Sequence, residues 1–171
     1  GFAVQAGAAE ITWDRLLNAD KDPNNWLMYH GSFKGWHYSG LDQINKNNVK
    51  NLKVAWIHTP SASKRGIQSF PLVADGVLYY TSSTGQIWAL DAATGEMLWM
   101  HSENEGARGT SAPRQLSGHG LAYWTDGKEE RILYVTPGYR LIALDAKTGV
   151  RISSFGKDGA VDLKQDDDQE I

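Results

Sequence analysis

Residues 89 to 99 read ALDAATGEMLW, and residues 143 to 153 repeat most of that stretch as ALDAKTGVRIS. The copies share Ala-Leu-Asp-Ala-x-Thr-Gly and lie 54 residues apart. A strand-based period of about 50 residues marks a propeller-type array. Apolar residues alternate before each Asp (Ile87 and Ala89; Leu141 and Ala143), as in a strand. Asp91 and Asp145 can accept hydrogen bonds from backbone amides two or three residues on, which turns the chain. Gly95 and Gly149 can take the positive φ that such a turn needs. Trp99 then places a flat ring behind the turn, suited to packing on a neighbouring repeat. The fold class read from this pattern is all-β, a propeller of four-stranded antiparallel blades.

Working outward, the first repeat reads as strands at 70–74, 76–83, 86–91 and 97–103, with Asp75-Gly76 as a hairpin signal. The second reads as strands at 120–125, 131–137, 140–145 and 150–155, with Asp126-Gly127 in a longer hairpin loop. Counted from Tyr79 to Asp91 and from Tyr134 to Asp145, the middle hairpin of the second copy is one residue tighter. Ser153 stands where the first copy has Trp99, with Phe155 two residues later. Upstream, LKVAWIHTP (52–60) reads as a strand with Leu52, Val54 and Trp56 on one face, Trp56 packing as Trp99 does. Trp88 and Trp124 are read as core residues. Two four-stranded repeats cannot cover both of their faces, and propellers close with 4 to 8 blades. The expectation is that several chains assemble, that this is the N-terminal piece of a longer propeller, or that a partner fragment completes a cleaved ring.

Residues 11–20 read as a short helix with Thr12 as N-cap and Trp13, Leu16 and Leu17 on one face. Asp20, Asp22 and Asn24 alternate as in a calcium loop, but Asn25 and Gly31 stand where an EF-hand needs Gly and Glu, so a polar loop is the reading. WLMYHGSFKGWHYSG (26–40) reads as an aromatic arm; the spacing of His30 and His37 matches no standard zinc pattern. Between the repeats, 104–120 is a long loop rich in small and basic residues, and the tail from Lys157 is polar and acidic.

The chain has 171 residues, with 41% apolar and 22% charged, the proportions of a globular domain or a piece of a larger one. A net charge of −3 leaves no footprint for nucleic acid or anionic membrane. The absence of Cys excludes disulfides, thiolate metal sites, a Cys nucleophile and covalent c-type haem attachment within the chain. Val4-Gln5-Ala6 has the look of a secretory cleavage site, with a frayed tail as the alternative.

ALDAATGEMLW resembles the tryptophan-docking motif of the quinoprotein alcohol dehydrogenases, eight-bladed propellers that use pyrroloquinoline quinone (PQQ). WLMYHGSFKGWHYSGLDQIN, QSFPLVADGVLYYTSSTG and GLAYWTDGKEERILYVT agree with the same family in the same order, from about Trp13 to Phe155. The resemblance implies a tail or signal remnant (1–9), an N-terminal arm and outer strand (10–60), a first blade (61–105), a cofactor-facing loop with a second blade (106–155), and an acidic loop or chain end (156–171).

The resemblance also names cofactor-wall candidates. Where the family has a Glu near the quinone, this chain has Gln68, three residues before Pro71. An amide donates and accepts hydrogen bonds without charge. A polar residue at a strand start is the plain alternative. Where many members carry a vicinal Cys pair, this chain has Pro113-Arg114, so Pro113 or Arg114 covers that face of the cofactor. Where the family has an Arg that touches the quinone carboxylates, this chain has His119, which binds a carboxylate when protonated; a surface His in a Gly-rich turn is the alternative. Thr110 and Ser111 are small polar residues of the same loop.

The implied function is alcohol or sugar-alcohol oxidation by hydride transfer to PQQ. A calcium or lanthanide ion holds the quinone, a carboxylate acts as base, and electrons pass to a cytochrome or quinone acceptor. The metal ligands, the base and the Trp beneath the quinone are expected outside this chain. The expected compartment is the periplasm. The competing reading is a non-enzymatic propeller scaffold of the bacterial envelope built from similar repeats.

Overall fold

The computed structural model describes residues 8–60, 69–113 and 120–165. Two antiparallel four-stranded sheets are formed in chain order. The first contains β1 (Leu72–Ala74), β2 (Val77–Thr81), β3 (Ile87–Asp91) and β4 (Met97–His101). The second contains β5 (Ala122–Thr125), β6 (Glu130–Val135), β7 (Arg140–Asp145) and β8 (Ala160–Asp162). A short helix α1 (Trp13–Leu17) opens the arm, and one helical turn, α2 (Ala107–Thr110), lies in the loop between the sheets.

The two Asp-x-x-Thr-Gly turns are built alike. Asp91 Oδ1 accepts from the amides of Ala93 (2.9 Å) and Thr94 (2.8 Å) and from the Thr94 hydroxyl. Asp145 Oδ1 accepts from Lys147 (3.0 Å) and Thr148 (2.8 Å) and from the Thr148 hydroxyl. The amides of Thr94 and Ala93, with the Thr94 hydroxyl, hold the Asp91 carboxyl below its usual range. Gly95 and Gly149 take φ of 74° and 70°.

Each turn is then covered by an indole from the segment before it. Trp99 Nε1 donates to Ala146 O at 2.8 Å, and a Cβ on Gly149 would lie 2.5 Å from the Trp99 ring. Trp56 Nε1 donates to Ala92 O at 3.2 Å, and a Cβ on Gly95 would lie 2.5 Å from the Trp56 ring. The role read for Trp56 is therefore the observed one. A bulge where Ala89 opposes Trp99 and Leu90 opposes Met97 leaves Leu98 extra. It turns Trp99 inward while Met97, Leu98 and Met100 stay exposed.

The core lies between the sheets. Leu72, Tyr79, Ile87, Ala89 and Trp99 of the first face Tyr123, Ile132, Tyr134, Ile142 and Leu144 of the second. Pairing partners share a face, so each sheet contributes one continuous apolar surface. The arm protects the open edges of both first strands. Trp26 and Val73 exchange backbone bonds at 2.7 and 3.0 Å, and Ile11 N donates to Thr125 O at 2.9 Å.

Four readings are corrected. The stretch 52–60 is not a strand; no ladder partner faces it among the described residues, although Trp56 keeps its docking place. The fourth strand of the second sheet is not 150–155. Arg151 makes one bridge to Leu144, the chain turns at 153–155, and Ala160–Asp162 pairs with Arg140–Ile142. The tail reading at 156–171 thus gives way where β8 forms. The two middle hairpins are of equal length, because Val77 pairs Asp91 and Arg131 pairs Asp145. Tyr80, not Tyr79, is the counterpart of Tyr134. In α1, Thr12 caps as expected, accepting from Arg15 N at 3.1 Å, but Trp13 and Leu17 are exposed and only Leu16 packs on the core.

Candidate functional site

Antiparallel connectivity sends distinct chemistry to the two ends of the sheets. One end carries the hairpin at Asp75-Gly76, the 126–129 loop and both Asp-x-x-Thr-Gly turns. The other gathers the starts of β1 and β5, the turn Ser82–Gln86, the loop after β4 and the turn Thr136–Tyr139. Gln68, Arg114 and His119 lie outside the described residues. Their described neighbours Ser69, Pro113 and Gly120 belong to this second end. Ser69 Oγ accepts from Thr81 N at 3.1 Å. Thr81 is buried, and its own hydroxyl oxygen has no hydrogen-bond partner among the described residues.

The loop after β4 is fixed by charge. The Glu105 side chain is only 4% exposed. It accepts from Thr136 Oγ1 and from Gly138 N, each at 2.7 Å, and from Arg140 at 3.3 Å. Arg108 forks onto Asp162, with one bond at 2.7 Å, and its Nε donates to Gly138 O. Arg108 holds the Asp162 carboxyl down at about 2. Glu103 receives Arg151 through two guanidinium nitrogens and pairs with His101 Nε2 at 2.6 Å. Burial alone would raise the Glu103 carboxyl, but the bonds from His101 and Arg151 outweigh it and hold it at about 2. Thr110 and Ser111 return their hydroxyls to carbonyls of their own helical turn.

Glu103, Glu105, Thr84, Thr110, Tyr134 and Thr136 line a cleft of about 250 Å³ between the sheets at this end. The Tyr134 hydroxyl is buried and makes no well-formed hydrogen bond among the described residues. Burial, and then the Glu103 charge, push its pKa up. Its counterpart Tyr80 bonds His58 Nδ1 at 2.7 Å and is pushed up to about 12 by burial. His58 and His101 each follow a docking Trp by two residues. The repeated Trp-x-His (WIHTP, WMHSE) is a sequence signal that the reading above passed over.

A second cleft, about 490 Å³, opens in the arm against Trp26, Tyr29, Phe70 and Pro71. There His30 Nδ1 and His37 Nε2 meet in a direct contact, with Tyr29 packed against both rings. The carboxylates of the calcium-like stretch are engaged elsewhere: Asp20 pairs with Lys34 at 2.5 Å and Asp22 with Arg15 at 3.4 Å. Among the described residues no group of three or more His, Asp or Glu is arranged to hold a metal.

The family model for the PQQ-type glucose/ethanol/alcohol dehydrogenase β-propeller domain matches residues 26–170. The chain belongs to this family. The dehydrogenase subunit of the quinone alcohol dehydrogenase of Gluconacetobacter polyoxogenes is 40% identical over 155 residues, 87% of this chain and 20% of that protein. Subunit 1 of the methanol dehydrogenase of Methylobacterium organophilum is 37% identical over 142 residues, 80% of this chain and 22% of that protein. Among solved structures, a quinohemoprotein alcohol dehydrogenase of Pseudomonas putida aligns with a TM-score of 0.70 at 30% identity, over 93% of this chain and 22% of that one. A europium-containing methanol dehydrogenase aligns with a TM-score of 0.65 at 28% identity, over 80% of this chain and 23% of that one. The two sheets are thus successive blades of a family propeller, and the chain spans about a fifth of the length of these relatives.

Proposed function

We propose that this chain forms the first blades of an eight-bladed PQQ-dependent dehydrogenase that oxidises an alcohol or sugar alcohol. The observation that carries the reading is the pair of docked blades, each clasped through an indole, in a chain 40% identical to a quinone alcohol dehydrogenase subunit over 87% of its length. The named relatives are dehydrogenases, which favours an enzyme over a scaffold.

The described residues at the loop-bearing end suit a polycarboxylate quinone. Ser69 and Thr81 supply hydroxyls, that of Thr81 buried and without a partner among the described residues. Glu103 and Glu105 are turned to Arg151 and Arg140, which lowers the repulsion that bare carboxylates would exert. Gln68 would hydrogen-bond the quinone, Pro113 or Arg114 would cover one face, and His119 would meet a carboxylate when protonated. A quinone held there would supply the hydride acceptor for the alcohol carbon, and these residues would supply orientation and electrostatics. A calcium or lanthanide ion, its ligands and the catalytic base belong to later blades, and electrons leave to a cytochrome or quinone. The compartment is the periplasm, reached through a cleaved signal peptide. Among the described residues no helix is long and apolar enough to cross a membrane.

The test is the visible spectrum of the complete protein with PQQ and calcium. A quinone band with alcohol-dependent dye reduction is expected. A folded protein that gains neither supports the scaffold reading instead.

A further inference from the structure

We infer that Glu105 is a positioning residue, one that sets the loop through Pro113 at the quinone-binding end by gripping the Thr136–Arg140 turn. The inference rests on the functional reading above and deepens it.

Three observations carry it. First, the Glu105 carboxylate is buried and takes donors 31 to 35 residues away, from Thr136, Gly138 and Arg140. Placing an acid there, with one partly exposed arginine in contact among the described residues, is costly unless every bond forms. The position of Glu105 is therefore sharply defined.

Second, the Glu105 carboxylate fills the space beside Gly138. A Cβ at Gly138 would sit 2.6 Å from Glu105 Oε1, whereas its φ lies outside the range that demands glycine. The Gly138 peptide is gripped from both sides: its N–H donates to Glu105, and its C=O accepts from Arg108 Nε. Gly106, at φ 54° and ψ −135°, and Gly109, whose Cβ would lie 3.1 Å from Glu105 Cβ, let the loop fold this closely.

Third, the turn does not need the carboxylate to form. Thr136 Oγ1 accepts from Arg140 N at 3.1 Å, as Ser82 Oγ accepts from Gln86 N at 3.2 Å in the first blade. The hydroxyl closure is common to both blades. What Glu105 adds to that closure in the second blade is the placement of the segment leading through α2 to Pro113.

The test uses the complete protein with calcium. The PQQ dissociation constant is measured by quinone titration, and the melting temperature is measured without PQQ. Glu105→Gln keeps the size and removes the charge; Gly138→Ala pushes the carboxylate out from the opposite side. Each is expected to weaken PQQ binding at least tenfold at a temperature well below melting. Trp99→Phe, which removes the indole donor to Ala146 at the opposite end of the sheets, lowers the melting temperature and leaves PQQ affinity within twofold. Glu105→Gln and Gly138→Ala proteins that bind PQQ within twofold of wild type, whatever their melting temperatures, overturn the inference. If one variant does not fold, the other decides. A wild-type protein that binds no PQQ overturns the functional reading, and this inference with it.

Discussion

Removing the Trp99 ring should separate the two blades energetically. Trp99 is 7% exposed, and its Nε1 donates to Ala146 O at 2.8 Å. Trp99→Ala deletes a buried ring and leaves a void, a change that costs about 3–5 kcal/mol. Trp99→Phe keeps most of the ring and loses the donor. The Ala146 carbonyl is not orphaned by this, because Tyr79 Oη also donates to it at 3.3 Å. The hydrogen-bond part of the loss is then about 1 kcal/mol rather than the full penalty of a stranded buried carbonyl.

Gly149 sharpens the test. Gly149→Ala meets two obstacles: a φ of 70°, which costs roughly 1 kcal/mol or more, and a Trp99 ring 2.5 Å from the new Cβ. Once Trp99 is Ala, only the φ cost remains. The double variant should therefore lose less than the sum of the two single losses. The assay is urea unfolding of the complete protein, read by circular dichroism in a thermodynamic cycle. Losses that add to within about 0.5 kcal/mol would show that ring and glycine do not touch. A Trp99→Ala loss below about 1 kcal/mol would deny that the indole joins the blades.

Other outcomes are accessible to the same material. Trp56→Ala should destabilise the first blade through the Ala92 contact, and Gly95→Ala should couple to it as Gly149 couples to Trp99; hydrogen exchange of the 92–95 amides would report it. Glu103 is depressed to about 2 in the folded protein, so its contribution is present above the ordinary carboxyl value near 4.3 and is lost as pH falls towards 2. Melting temperature against pH should show that acid limb, and Glu103→Gln should flatten it. Gln68→Ala in the complete protein should weaken PQQ binding; an unchanged affinity by titration would remove Gln68 from the wall.

What the sequence made legible was local. The Asp-x-x-Thr-Gly turns close through bonds two or three residues long, so their residues announce them. The strands before them follow from alternation, and the Asp75-Gly76 hairpin from two positive φ angles, 48° and 82°. What failed depended on distant partners. Residues 150–155 have strand-like composition, yet the edge of β7 at Arg140–Ile142 is taken by Ala160–Asp162. The Tyr79-Tyr80 doublet offered two alignments to Tyr134, and only the pairing register chose between them. Glu105 stood unnoticed in a loop described as small and basic, because its partners lie more than 30 residues on. The site residues read from family resemblance, Gln68, Arg114 and His119, lie outside the described residues; their neighbours Ser69, Pro113 and Gly120 lie at the end that carries the Thr136–Tyr139 turn.

The most direct test is an experimental structure of the complete protein grown with PQQ and calcium. The account predicts quinone density at the end carrying the Ser82–Gln86 and Thr136–Tyr139 turns, beside Ser69 and Pro113. Quinone bound at the opposite end, among the Asp-x-x-Thr-Gly turns, or a closed propeller with no quinone under saturating conditions, would contradict it.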